Sequence, residues 1–263
     1  MTLEVKKIYV DSRFCTHDSN SDSDFKIQLS SNIYLPEKCV MHIENITMPH
    51  AWYSIETGIN NLIYVKLGTT STCFIATIPS TNYIGSTFAT AAATALGNGF
   101  TCSYEVNTNR LTISNSQSFK ILTDVELATG LHGAWTGPVY NWSSPSSSND
   151  VIANRTSNSG YSFISGMLSL NGFRAVYISS STLSNYNTVG ARGENNIIKK
   201  VPVNADFGYQ IIDQMVSDHD YLSVERVTLS TIDFQVKDVR GNLVPFRGSP
   251  ISFTIKFSQL DNL

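Results

Sequence analysis

The stretch "SPISFTIKFS", residues 249–258, decides the fold class of this chain. Apolar and polar side chains alternate along it, and the apolar ones are Ile251, Phe253, Ile255 and Phe257. Because successive side chains of a strand point to opposite faces, this alternation predicts a β-strand with one buried and one wet face. Residues 231–237 alternate in the same way, and Arg240-Gly241-Asn242 supplies turn residues between the two runs. The end of the chain is therefore predicted to be a packed antiparallel pair or triplet of strands.

The N-terminal third has the same character. Four further strands are predicted at 4–10, 25–29, 39–48 and 62–67. In the first of them the apolar parity slips between Val5 and Ile8, which indicates a bulge or a sheet edge. Leu35-Pro36-Glu37 interrupts the pairing because proline has no amide proton, and it predicts a turn.

The middle of the chain changes pattern. Ile84, Phe88 and Ala95 recur at helical spacing, with Ala91 or Ala92 on the same face, and Gly97 stands where a left-handed cap would end the helix. A hairpin follows at 100–115. A second, short helix is predicted from Thr123, with Glu126 in the reciprocal capping position.

These patterns predict a mainly β fold with an α+β insertion, one helix plus a hairpin, in the middle. The predicted boundaries are 1–67 for the N-terminal part of the β domain, 68–135 for the insertion and 136–263 for the remainder. The remainder carries two long Ser/Asn-rich segments, 140–160 and 179–196, which we expect to be surface loops.

Composition narrows the functional classes. Charged residues are only 15% of the 263, against about 25% in ordinary soluble domains, and the net charge is −3. A neutral, hydroxyl-rich surface suits a protein that hides much of itself against neighbours, and it also suits an extracellular β-protein. The sequence has no Lys/Arg patch of the kind that nucleic-acid-binding proteins carry, so specific nucleic-acid binding is not expected. No apolar run approaches the ~20 residues of a membrane span. The four cysteines are widely spaced and are interpreted as reduced thiols.

The polar stretch "CTHDSNSDSDF", residues 15–25, resembles a calcium-binding loop. With Asp18 at position 1, the template requires glycine at position 6 and a bidentate glutamate at position 12. The chain has Ser23 and Leu29 there, and a strand follows instead of a helix. We therefore interpret the stretch as a polar link whose side chains bond their own backbone, with an ion shared at a subunit boundary as the open alternative.

No catalytic chemistry is predicted. The histidines show no metal-ligand spacing, and the chain has no nucleophile elbow, phosphate loop or dinucleotide fingerprint. The acidic residues show no recognisable glycosidase pair. No enzyme, cofactor or metal site is therefore expected. Trp52-Tyr53, at the end of a strand, is interpreted either as packing at a sandwich rim or as an interface anchor.

Several motifs together resemble one family. The first strand ends in Asp11-Ser12-Arg13, a polar link ends in Ser23-Asp24-Phe25, and a Leu-Pro turn precedes "ITMPHAWYSI", residues 46–55. "NNIIKKVPV" (195–203) and "DFQVKDVRGNLVPFRGSPISFTIKF" (233–257) add two further segments. These stretches resemble the minor capsid (penton) proteins of Polintons, adintoviruses and related virophage-like elements.

The resemblance implies a single jelly-roll β-sandwich, with two antiparallel sheets of about four strands each, into which the α+β unit is inserted. Alternating strands at both ends fit a sandwich whose first and last strands are neighbours. The family motifs supply the interface candidates, which are Asp11, Ser12, Arg13, Ser23, Asp24, Phe25, Pro49, His50, Trp52 and Tyr53.

The resemblance further implies a virion protein assembled inside the host cell. It would form homopentamers at the fivefold vertices of an icosahedral shell built mainly from a double-jelly-roll major capsid protein. The insertion would project outward toward a host receptor or a fibre. The alternative from another class is an attachment or lectin-like β-sandwich, for example trimeric, that recognises a ligand on a host surface.

The interpretation of residues 15–25 as a polar link predicts that a chelator leaves the melting temperature unchanged, because no bound cation contributes to folding. Thermal unfolding of the purified protein with and without EDTA measures this. A fall of several degrees that calcium reverses would contradict the prediction and restore the metal interpretation.

Overall fold

The computed structural model describes residues 5–68, 72–123, 126, 134–135, 149–152, 160–184, 188–191, 193–214 and 221–259. The chain forms two compact units. Unit 1 contains Met1–Trp52 and Phe173–Leu263, and unit 2 is Tyr53–Gly172. Unit 2 contains the predicted insertion, 68–135, but begins earlier and ends later than the predicted boundaries.

The described residues form strands and short helices in a mainly β arrangement. In chain order the strands are β1 (Lys6–Asp11), β2 (Asp24–Leu35), β3 (Cys39–Pro49), β4 (Leu62–Leu67), β5 (Thr72–Thr77), β6 (Thr101–Glu105), β7 (Arg110–Ile121), β8 (Ala134–Trp135), β9 (Gly160–Met167), β10 (Ala175–Ser179), β11 (Ile197–Pro202), β12 (Gln210–Asp213), β13 (Leu222–Ser223), β14 (Val227–Lys237) and β15 (Ser252–Gln259). Strands β4 to β9 belong to unit 2, and the others belong to unit 1. Two α-helices lie wholly within the described residues, α1 (Gly85–Leu96) and α2 (Asn149–Ile152), and neither is long and apolar enough to cross a membrane.

Unit 1 contains two antiparallel sheets. The first has the order β1-β15-β3-β12, with β13 also paired to β3, and the second has the order β11-β10-β14-β2. The first and last strands are neighbours, as the sequence predicted, in a register that runs from Lys6 opposite Phe257 to Asp11 opposite Ser252. The parity slip near Val5 corresponds to the sheet edge, since β1 pairs only with β15 among the described strands.

The predicted pairing at the C-terminus is wrong in one respect. Strands β14 and β15 were expected to form an antiparallel pair or triplet, but they lie in different sheets of unit 1. Their apolar faces meet across the core, where the rings of Phe234 and Phe253 lie 5.0 Å apart, edge to face. Alternation identifies which face of a strand is buried, but it does not identify the hydrogen-bonding partner.

Aromatic contacts connect the two sheets of unit 1. Phe234 on β14 also lies 5.4 Å from Phe25 on β2, so the three rings run from the second sheet into the first. All three side chains are buried, within a core that also includes Met41, Ile255 and other aliphatic residues from both sheets. Burial of each large side chain removes about 150–250 Å² from water, which makes this group a main source of stability.

Unit 2 packs α1 against a six-stranded sheet of order β6-β7-β4-β5-β8, with β9 paired to β7. The predicted helix and hairpin are confirmed, except that Ile84, predicted on the buried face, is the N-cap residue of the helix and is 69% exposed. Phe88 and Leu96 of α1 are buried, and Gly97 ends the helix with a positive φ of 53°. The helix begins at Gly85, where a larger residue would not fit, because a Cβ atom at this position would lie 2.3 Å from the ring of Tyr104.

The strand at 62–67, predicted as part of the β domain, belongs to unit 2, where β4 pairs with β5 and β7. The reciprocal cap predicted after β7 is present: Thr123 and Glu126 exchange backbone-to-side-chain hydrogen bonds of 3.0 and 3.2 Å. The rest of that predicted helix, and most of the predicted loop at 140–160, lie outside the described residues.

The contact of Phe234 with both sheets predicts a large stability loss for Phe234→Ala. Removing a fully buried phenylalanine costs about 3–5 kcal/mol of unfolding free energy. Urea denaturation of the purified variant measures this loss. The matched control is Tyr34→Ala, because Tyr34 on β2 is 57% exposed and its truncation should change stability by less than about 0.5 kcal/mol. Equal effects of the two changes would contradict the packing described here.

Candidate functional site

The Asp11-Ser12-Arg13 element forms a tight turn where β1 ends. Asp11 caps a 3-10 turn, Ser12–Phe14, and its carboxylate accepts the amide N–H of Arg13 at 3.0 Å. The same carboxylate accepts two hydrogen bonds from the Arg13 guanidinium, from Nε at 3.0 Å and Nη2 at 2.6 Å. These guanidinium bonds lower the pKa of the Asp11 carboxyl below its usual value. The arginine fork is therefore held in one orientation by its own chain.

Ser12 joins the two ends of the chain. Its side chain is buried, its amide N–H donates to the Ile251 carbonyl at 3.0 Å, and its Oγ accepts the Ile251 amide N–H at 3.1 Å. Ile251 directly precedes β15, so this reciprocal pair extends the β1–β15 ladder by one residue. The serine of the motif is a structural residue.

Around this turn the surface is aromatic and basic. Tyr9 is 77% exposed and Phe14 is 78% exposed. The guanidinium carbon of Arg13 lies 6.0 Å from the centroid of the Phe14 ring, at the outer limit of a cation–π contact. Sequence reasoning identified Arg13 and missed both aromatic residues. The available signal was that Tyr9 stands at a polar-face position of β1, between the inward-facing Ile8 and Val10.

The Ser23-Asp24-Phe25 element anchors the start of β2. The Ser23 carbonyl accepts the Val236 amide N–H at 2.8 Å, and the Asp24 carboxylate accepts Gln235 Nε2 at 3.2 Å. Phe25 is buried beneath them. Both bonds connect the start of β2 to β14, so this motif fixes the register between these two strands. Few of its polar groups are exposed to contact another molecule.

In the oxygen-rich stretch that leads into β2, the Asp18 and Asp24 carboxylates bond to other groups of the chain. Asp18 forms an ion pair with Lys26 at 2.7 Å and accepts the Thr16 hydroxyl at 2.5 Å, and these bonds lower the pKa of Asp18 to about 2. Asn20 Nδ2 donates to Asp24 at 2.7 Å. In the part of the chain that the structure describes, no group of three or more His, Cys, Asp or Glu side chains is arranged to hold a metal ion.

The Pro49–Trp52 element lies at the other end of β3. His50 Nδ1 lies 2.7 Å from the Ala205 carbonyl, and its ring lies 4.4 Å from that of Trp52. Trp52 is fully buried and packs 5.5 Å from Phe173. Of the two interpretations of Trp52, the structure supports packing, because a side chain with no exposed surface cannot itself contact another subunit. Pro49 pairs with Gln210 at the end of β3.

The last interface candidate, Tyr53, belongs to unit 2, and its amide N–H donates to the Glu56 carboxylate at 2.8 Å. The ten candidates therefore do not form one site. Asp11 and Arg13 reach the surface at the end of β1, whereas Ser12, Ser23, Phe25, His50 and Trp52 are buried in unit 1. The family motifs consist mostly of residues that hold the sandwich together.

Part of the predicted loop at 179–196 is fixed to the second sheet. The Asp233 carboxylate accepts the amide N–H groups of Ser181 and Thr182 at 2.9 and 2.8 Å, together with their hydroxyls. Burial raises the pKa of Asp233, but these bonds outweigh burial and lower it. A small cleft lies beside this loop, between Tyr177 and Asp238. Asp238, which lines this cleft, accepts three hydrogen bonds from its own turn.

Comparison with known proteins shows a likeness of fold. The sequence matches no protein-family model and no curated protein. The structure matches 22 solved chains. One is the selenomethionine-labelled mavirus penton protein, with a TM-score of 0.51 and 9% sequence identity, over 98% of this chain and 100% of that chain. The resemblance to penton proteins predicted from the sequence is therefore confirmed at the level of fold.

The bond pair between Ser12 and Ile251 predicts that Ser12→Ala destabilises the protein by about 1–3 kcal/mol, because it leaves a buried amide N–H without an acceptor. Chemical denaturation measures the change. Ser103→Ala, at an exposed position of β6, is the matched control and should change the unfolding free energy by less than about 0.5 kcal/mol. A Ser12→Ala variant as stable as the control would contradict the role assigned to this serine.

Proposed function

We propose that this chain is a penton subunit, a minor capsid protein that forms homopentamers at the fivefold vertices of an icosahedral viral shell. The observation that carries the proposal is the fold match with the mavirus penton protein over 98% of the chain. The family motifs at the two ends of the sequence support it independently of the structure.

The strand order of unit 1 supports the finer proposal that it is a single jelly roll. Its eight main strands divide into β1-β15-β3-β12 and β11-β10-β14-β2. Of the seven connections between these strands, six pass from one sheet to the other, and only β10 to β11 stays within a sheet. Two four-stranded sheets connected in this alternating way are the architecture of jelly rolls, which are common in viral capsid and lectin domains.

The composition agrees with assembly. A closed ring of identical subunits uses heterologous interfaces, in which one side of each copy meets the other side of the next. Charged residues are depleted from the centres of interfaces, and only 15% of this chain is charged. The polar residues of the chain are rich in Ser, Thr and Asn, and burying these side chains costs less desolvation free energy than burying charged ones.

Unit 2 is proposed to be the part that projects outward from the vertex, where it meets a host receptor or a fibre. The chain leaves unit 1 after Trp52 and returns at Phe173, and the rings of these two residues pack 5.5 Å apart. A compact unit whose two connections start from adjacent points can be inserted without disturbing the domain that carries it. This arrangement is what an appended recognition module requires.

The proposed role is structural and not enzymatic. The partners would be further copies of this chain and a double-jelly-roll major capsid protein, with assembly inside the host cell and residence in the virion. The function requires only stable packing and specific surfaces.

The oligomeric state tests the proposal. Light scattering should give the mass of five chains, each of 29.0 kDa, for the purified protein alone, or five copies of this chain per particle after mixing with the major capsid protein. Negative-stain images should show fivefold rings. A protein that stays monomeric at high concentration in both settings would contradict the penton role. A trimer that binds specifically on a glycan array would favour the attachment protein instead.

A further inference from the structure

The tripeptide Asn-Gly-Phe occurs twice in the chain, at 98–100 and at 171–173. Asparagine followed by glycine is the context in which the side-chain amide is lost most readily, because glycine, without a side chain, leaves its own amide nitrogen accessible. Asn98 and Asn171 are both exposed, so water reaches each of them. Sequence and exposure therefore do not distinguish the two copies, and any difference in their reactivity comes from the local structure.

Deamidation of asparagine is an intramolecular reaction. The backbone nitrogen of the following residue attacks the side-chain carbon Cγ, so that an N–Cγ bond forms and the Cγ–Nδ2 bond breaks. The leaving amide takes the proton of the attacking nitrogen and departs as ammonia. Water then opens the cyclic succinimide at either carbonyl, which gives aspartate or isoaspartate. Ring closure requires the attacking nitrogen to lie on the same side of the Cα–C bond as Cβ, so the backbone conformation of the asparagine controls the rate.

The first copy is held in an unreactive conformation. Asn98 and Gly99 have φ angles of 47° and 76°, and the Phe100 amide N–H donates to the Gly97 carbonyl at 2.8 Å. Positive φ at both central residues identifies a type I′ turn, in which ψ of the first central residue is about +30°. This ψ places the Gly99 nitrogen on the far side of the Cα–C bond from the Asn98 side chain. Asn115 Nδ2 donates to the Asn98 carbonyl at 2.9 Å and so holds the same peptide group in this orientation.

The second copy has no such restraint. Within the described part of the chain, neither Asn171 nor Gly172 takes part in a hydrogen bond. The residues on either side are anchored: Leu170 packs against the core of unit 2, and the Phe173 ring lies 5.5 Å from that of Trp52 in unit 1. The peptide group between Asn171 and Gly172 can therefore rotate into the reactive conformation without breaking a hydrogen bond.

We propose that Asn171 deamidates spontaneously in the folded protein, whereas Asn98 is protected by its turn. Asn171 and Gly172 are the last two residues of unit 2, so the modification falls in the connection that returns to unit 1. Isoaspartate adds one atom to the main chain there, and either product adds a negative charge to a chain whose net charge is −3. The inference is independent of the proposed function, because it depends only on the local structure of the two copies.

Peptide mapping of the full chain, incubated at mildly alkaline pH, tests the proposal. In the folded protein, aspartate and isoaspartate should accumulate at Asn171 about tenfold faster than at Asn98, because the turn must first lose two hydrogen bonds. The chain unfolded in guanidinium chloride is the matched control. There both asparagines precede Gly-Phe without any turn, and the rate at Asn98 should rise to that at Asn171. Equal rates in the folded protein, or a slower reaction at Asn171, would overturn the inference.

Two variants test the cause of the difference. Asn115→Asp removes the Nδ2 donor to Asn98 and keeps the Oδ1 atom that accepts the Gln117 amide N–H at 2.8 Å. Loss of this one hydrogen bond should accelerate the reaction at Asn98 by about two- to tenfold and leave Asn171 unchanged, with circular dichroism confirming that the variant is folded. Asn171→Gln, whose longer side chain closes a larger ring more slowly, should remove the acidic product at 171 alone. An unchanged rate at Asn98 in folded Asn115→Asp would overturn the protection assigned to the turn.

Discussion

The ring of Phe234 is the contact on which unit 1 most depends. It lies 5.4 Å from Phe25 in its own sheet and 5.0 Å from Phe253 in the facing sheet. Because β14 and β15 face each other across this contact, the last strand is free to pair with β1 and β3. Apolar burial between two sheets thus sets the topology, and the hydrogen bonds of Ser12 and Ser23 then fix the register of the strands.

The same sandwich explains how one chain can carry two units. Trp52 and Phe173 pack together where the chain leaves and re-enters unit 1, so the core is continuous across the insertion point. Unit 2 has a separate core around Phe88, Ile113 and Phe119. With its own core, each unit can change its surface without weakening the other, which suits a protein proposed to combine assembly with outward recognition.

The sequence predicted the strands better than their partners. The alternation of apolar and polar residues predicted β14 and β15, and the helical spacing of apolar residues around Phe88 predicted α1. Each pattern reports only which face of an element is buried. Neither pattern contains information on sheet order, so the different sheets of β14 and β15 were missed. Trp52 was ambiguous because tryptophan is common both in cores and in interfaces, and the rejection of a calcium loop at Asp18 agrees with its ion pair to Lys26.

Single-particle cryo-electron microscopy of the purified assembly tests the central claim most directly. We expect class averages with fivefold symmetry and a reconstruction in which five sandwiches, each with Phe234 at its centre, form a closed ring. A reconstruction with another symmetry, or images of separate single chains at every concentration and in the presence of the major capsid protein, would contradict the penton role.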